Sequence, residues 1–146
     1  MSTYSFLDVS ASLAGPTGLV ELGYGSANAE EGITVTMTEA KNTMTIGADG
    51  EVMHSLHADK SGTITVTLLK TSPVNKKLSL AYNAQSQSSA TWGNNVIVIR
   101  NTASGDISTA RSCAFQKQPD FNNAKEGGTV AWVFDCGKID QLLGEF

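Results

Sequence analysis

The sequence predicts a mainly β protein, an antiparallel β-sandwich or small barrel that carries one packed α-helix over about 73–85 and an extended arm over about 47–62. Three observations lead there. Apolar and polar residues alternate through most of the chain, the signature of strands with one buried face. Clusters of Gly, Pro, Asn and Asp break those runs at short intervals. Only one stretch repeats its apolar residues at helical spacing.

Phe6 to Leu13 alternates weakly, Gly15-Pro16-Thr17-Gly18 marks a turn, and Leu19 to Tyr24 reads as the returning strand of a hairpin. Ile33, Val35 and Met37 alternate with threonines, as do Met44 and Ile46, with polar Thr38 to Lys41 between them. Ile64, Val66 and Leu68 continue the pattern. Between these runs, Gly47 to Gly62 holds Gly-Ala-Asp-Gly, both histidines and Ser61-Gly62, and reads as an extended arm or long hairpin. Long connections in compact domains tend to be functional.

Ser72 is placed to cap the helix, and Pro73 suits the first helical position, where its missing N–H costs nothing. Val74, Leu78, Ala81 and Tyr82 form a narrow apolar stripe, which predicts a helix lying on a sheet with Lys76 and Lys77 in solvent. Val96 to Ile99 is a short apolar run, Asn101 to Asp106 a turn, and Ile107 to Lys117 a strand. Val130, Trp132, Phe134 and Cys136 share one face at period two, so this last strand brings the largest apolar side chains to the core.

At 146 residues the chain suits one domain, expected over 1–146. Charged residues are only 16% of it, a weakly charged surface that suits a protein covered by partners. Fourteen acidic against ten basic residues give a net charge of −4, and the longest cationic run is the pair Lys76-Lys77. A phosphate-gripping footprint is missing. No stretch approaches the roughly 20 apolar residues of a membrane span, and the start MSTYSFLDVS lacks the pattern of a signal peptide. Neither a membrane anchor nor export is expected.

The candidate chemistry is thin. His54 and His57 form E-x-x-H-x-x-H with Glu51, which on a helix would bring three metal ligands together. The glycines at 47, 50 and 62 argue against a helix, and on a strand the two histidines point to opposite faces. Cys113 shares a face with Phe115, and Cys136 with Trp132 and Phe134, so both thiols read as small core residues. Burial favours the inert thiol, and should their strands be neighbours a disulfide could form between them after cell lysis. Gly23-Tyr24-Gly25 lacks the third glycine and the βαβ unit of a dinucleotide loop, and Gly47 to Gly50 has no following Lys-Ser or Lys-Thr. No acid–base pair converges. The expectation is a non-enzyme without cofactor or metal.

The stretch Leu22 to Leu78, reading LGYGSANAEEGITVTMTEAKNTMTIGADGEVMHSLHADKSGTITVTLLKTSPVNKKL, resembles the tail tube proteins of contractile-tailed bacteriophages. The opening STYSFLDV, the turn Asn101-Thr102-Ala103-Ser104-Gly105-Asp106, Pro119-Asp120 and Ala124-Lys125-Glu126-Gly127-Gly128 follow the same family pattern, so the resemblance covers nearly the whole chain. It implies a subunit of the phage tail, assembled in the host cytoplasm, six copies of which close into a ring. Rings would stack into a tube that DNA traverses without specific binding, with sheath, tape-measure and baseplate proteins as further partners. Ring and stack each use a patch on one copy against a different patch on the next.

Sheet edges suit such assembly, because an unpaired edge is a template for another strand. The arm would reach the adjacent ring. Its expected interface residues are Asn42, Met44, Asp49, Glu51, Met53, His54, Leu56 and His57, with Met53 and Leu56 the unexplained apolar members of a polar stretch. Two alternatives stay open: another tail structural protein, or a carbohydrate- or surface-binding β-sandwich using Trp92 on an exposed loop.

Overall fold

The computed structural model of the protein describes residues 2–146. A 3-10 turn at Phe6–Asp8 leads into β1 (Val9–Gly15), β2 (Gly18–Glu21), β3 (Asn28–Met37), β4 (Asn42–Ile46), β5 (Val52–Leu56) and β6 (Gly62–Leu69). The helix α1 (Val74–Gln85) follows, then β7 (Asn95–Asn101), β8 (Ile107–Lys117) and β9 (Thr129–Leu142). Seven strands form one sheet in the order β2-β1-β7-β8-β9-β6-β3, every pair antiparallel, and β4 and β5 form a separate two-stranded sheet. The mainly β, antiparallel, one-helix reading holds.

Of the sandwich and the barrel, the connection between β2 and β3 selects a curled single sheet. These strands are the two edges of the sheet yet follow one another in the chain. Across a flat sheet they would lie about 29 Å apart at ~4.8 Å per strand. The chain from Glu21 to Asn28 spans at most about 25 Å when fully extended. The sheet therefore rolls until its edges approach, and Asn28 Nδ2 donates to the Leu22 carbonyl across the gap at 3.0 Å. The result is an incompletely closed barrel.

Ala11, Leu13, Ile64, Val66, Leu68, Ile97, Phe115, Trp132 and Phe134 point inward and are almost fully buried. The alternation seen in the last strand continues past its expected end. Ala110 and Cys113 both face the core although three positions apart, and so do Cys136 and Ile139. The two strands slip together, with Ser112 at a φ of 54° in β8 lying beside Gly137 of β9. Such irregularities bend a strand and help a sheet to roll. At the other end, Phe6 to Asp8 turn rather than extend, with Ser5 Oγ accepting from the Leu7 amide at 3.1 Å.

The helix lies on the barrel as its stripe predicts. Val74, Leu78 and Ala81 are buried, Lys76 and Lys77 exposed. Ser72 Oγ accepts from the Val74 amide at 3.3 Å, and Trp132 Nε1 donates to Asn75 Oδ1 at 3.0 Å, fixing α1 to β9. At the far end Gln85 is fully buried and tied to Asn95 on β7. Among the described residues no helix is long and apolar enough to cross a membrane.

Candidate assembly surface

The segment that leaves the barrel is a hairpin, and it begins earlier than the sequence suggests. Asn42–Ile46 pairs with Val52–Leu56 in the register Asn42↔Leu56, Met44↔His54, Ile46↔Val52. Gly62 already belongs to β6, opposite Cys136, so the arm ends one residue before it. The tip is local chemistry: the Gly47 amide donates to the Glu51 carbonyl at 2.7 Å, and Asp49 Oδ1 accepts from the Glu51 amide at 3.2 Å. Gly50 turns with a φ of 87°, which a side chain would resist.

The base is anchored to the barrel. Lys41 Nζ donates to the Asp59 carbonyl at 2.6 Å, and the Ile139 amide of β9 donates to the Lys60 carbonyl at 2.8 Å. Lys60 and Arg111 both approach the Asp140 carboxylate, at 3.6 and 3.1 Å, across an exposed surface where such pairs contribute little. Hydrogen bonds from the Ser61 hydroxyl and the Ser61 amide hold the Asp59 carboxyl below the ordinary carboxylate range.

Directly opposed residues in an antiparallel pair share a face. One face of this hairpin therefore carries Met44, Ile46, Val52 and Leu56, with Asn42 and His54 between them. Leu56 is 88% exposed, and the other three are more than half exposed. The opposite face carries Thr43, Thr45, Ser55 and Met53. A two-stranded hairpin is marginally stable alone, and this one leaves its apolar face exposed in the single chain.

The eight expected interface residues separate by position. Asn42, Met44, His54 and Leu56 share the apolar face, Met53 lies on the other, and Asp49 and Glu51 form the tip. His57 follows β5 and meets Thr43 Oγ1 through Nε2 at 2.6 Å, whereas His54 Nδ1 meets Asn42 Nδ2 at 3.2 Å. The histidines thus sit on opposite faces, which removes the three-ligand arrangement with Glu51. Ile46 and Val52 complete the apolar face and escaped the sequence reading, which took alternating Met44 and Ile46 for an ordinary half-buried strand.

Two further surfaces were not legible. The outer edges of β2 and β3 end the sheet. A groove of about 480 Å³, lined by Tyr4, Phe6, Ile33, Ile99 and Leu143, runs beside both chain termini, where the rings of Tyr4 and Phe146 meet edge-on at 6.3 Å. Trp92, the aromatic of the surface-binding alternative, is 36% exposed and packs edge-on against Tyr82 at 5.9 Å. Its ring is engaged by the helix.

Comparison with known proteins agrees with this architecture. Solved structures share the fold at low identity, and identities this low speak to the fold alone. A chain of the PVC sheath–tube complex of an extracellular contractile injection system, in the extended state, superposes with a TM-score of 0.59 at 10% identity, covering 97% of this chain and 92% of that one. The PVC sheath/tube terminator gives 0.58 at 11%, covering 97% and 98%. The tube-terminating cap of the anti-feeding prophage gives 0.56 at 8%, covering 99% and 93%. No curated protein matches the sequence. The model of the bacteriophage PhiTE tail tube protein family matches residues 1–144. The chain belongs to that family of tail tube proteins, whose role is structural and not enzymatic.

Proposed function

We propose that six copies of this chain close into a ring, and that rings stack into the inner tube of a contractile tail through which DNA passes. The observation that carries this reading is the hairpin. Its apolar face, Met44, Ile46, Val52 and Leu56, is built, projecting and unburied, and a neighbouring copy is the partner a tail tube protein always has at hand. The free edges of β2 and β3 supply a second contact, by which the sheets of adjacent copies join around the lumen.

The lumen wall in this reading is the outward face of β3, β6 and β9. Thr34, Thr36, Thr63, Thr65, Val133 and Asp135 lie there, with Lys138 as the cation of β9 beyond them. A net acidic chain whose wall is mostly threonine and carries no cluster of cations offers phosphates little grip. Sheath, tape-measure and baseplate proteins are the further partners, and the assembled tail is the place of action after assembly in the host cytoplasm.

Sedimentation velocity of the purified chain, beside a form lacking residues 48–60, tests the proposal. The intact chain is expected to form hexamers and larger stacks, and the shortened chain to stop at rings. Tubes of normal length from the shortened chain would sink the arm's role, and monomers of the intact chain at every concentration would count against the ring.

A further inference from the structure

We propose that Cys113 and Cys136 are a latent modification site, an intrachain disulfide between β8 and β9 that closes when the folded protein meets a small disulfide oxidant. The two residues are direct partners in the β8–β9 ladder, both are free and buried, and their sulfurs lie 3.1 Å apart with one thiol donating to the other. Opposed residues of an antiparallel pair have Cα atoms about 4.5–5.5 Å apart, within the range a disulfide spans. Closing the bond therefore asks for a sub-ångström approach of each sulfur and no change of strand partner.

Access is the obstacle, and the structure offers a local way in. Cys113 is wholly buried, and Cys136 is 3% exposed. The hydrogen bond between the two thiols, together with burial, pushes the Cys136 thiol well above the usual cysteine range. The same hydrogen bond holds Cys113 below that range, and burial keeps both from an oxidant while the ladder is closed. Immediately beside the pair, however, the ladder carries Gly137 and the left-handed Ser112. The ladder pairs Arg111 with Lys138 and Cys113 with Cys136 but not Ser112 with Gly137, and this interruption supplies the local opening and the backbone slack that the proposal requires.

The chemistry balances with a symmetrical small disulfide as the oxidant. On local opening one cysteine loses its proton and its thiolate attacks the oxidant, expelling one half as a thiolate and leaving a mixed disulfide on the protein. The second cysteine, deprotonated in turn, attacks the protein-side sulfur of that mixed disulfide and expels the other half. Two thiol protons end on the two expelled thiolates, two electrons pass to the oxidant, and one S–S bond joins β8 to β9. The bond cross-links positions 23 residues apart at the centre of the sheet, which removes freedom from the unfolded chain. The bond itself does not depend on the tube reading. If that reading holds, the bond would close after the tail leaves the reducing cytoplasm and would lock subunits already assembled.

The test exposes the native chain to 2-hydroxyethyl disulfide, removes the oxidant, unfolds the chain in guanidinium with N-ethylmaleimide to block every remaining thiol, and reads intact mass. The guanidinium denaturation midpoint is read on unblocked chain. The expected result is a chain lighter by two hydrogens that takes up no maleimide and unfolds at a higher midpoint, both reversed by dithiothreitol. A native chain that still takes up maleimide at both cysteines, or that closes the bond only in denaturant, overturns the proposal. In Cys136→Ser the same treatment should leave Cys113 free or as the mixed disulfide, with no gain in midpoint. A gain equal to that of the native chain would mean that the oxidant acts elsewhere, and would equally overturn it.

Discussion

The side-chain amides of Gln85 and Asn95 face each other in the core and exchange two hydrogen bonds, Gln85 Nε2 donating to Asn95 Oδ1 at 2.9 Å and Asn95 Nδ2 to Gln85 Oε1 at 2.8 Å. Both residues are fully buried. Gln85 also donates to Thr17 Oγ1 at 3.0 Å in the β1–β2 turn, and Asn95 to the Cys113 carbonyl at 3.1 Å. The pair thereby joins the end of the helix, the first hairpin, β7 and β8 at one point.

Removing one partner leaves the other buried without its hydrogen bonds. Gln85→Leu or Asn95→Leu should each cost about 2–3 kcal/mol. The double substitution should cost less than the two added together, by about 1 kcal/mol or more, because no orphaned amide remains. Guanidinium denaturation of the three variants reads this, and strict additivity would contradict a reciprocal pair.

Gly15 stands against the same pair, and a Cβ there would overlap Asn95 Oδ1. Gly15→Ala should destabilise the chain by about 1–3 kcal/mol. In an Asn95→Ala background the added cost should shrink to a fraction of that, since the obstructing atom is gone. An unchanged cost in that background would place the strain in the backbone instead.

The amide pair shows where the sequence stops being readable. Val74, Leu78 and Ala81 announce the buried stripe of α1 by their type, but Gln85, one turn on, reads as solvent-facing until Asn95 is known to meet it. The strands were legible because Trp132, Phe134 and Cys136 alternate. The last strand seemed to end at Cys136 because Gly137 breaks that alternation, and it resumes on the core face only at Ile139. The slip exists to suit a neighbouring strand, so no local pattern reveals it. At the hairpin, Asn42, Met44, His54 and Leu56 were recognisable as a group, whereas the shared face with Ile46 and Val52 required the register.

The hairpin's apolar face should matter to assembly far more than to folding. Ile46→Ser, Val52→Ser and Leu56→Ser should each stay within about 0.5 kcal/mol of the parent in stability, since all three side chains are exposed in the single chain. The triple variant should form no stacked rings. Denaturation curves and light scattering on the same samples separate the two effects, and stacking at the parent's concentration would remove this face from the interface.

Asp59 gives the arm's base a direction of pH dependence. Its carboxyl is held below the ordinary range in the folded chain, by the Ser61 hydroxyl first and the Ser61 amide second. The contribution is therefore complete above the unfolded carboxyl's pKa and is lost as pH falls through the lowered folded value. Protection of the Ser61 amide from exchange, followed by NMR through the acid range, should fall there in the native chain and be low at every pH in Asp59→Asn. A flat profile in the native chain would contradict the assigned contact.

The central claim is that this fold assembles with itself, and negative-stain electron microscopy across a concentration series tests it most directly. The account predicts rings at low concentration and hollow tubes of uniform diameter as concentration rises. Single particles of monomer size at every concentration, also after seeding with tail-derived tube ends, would contradict it.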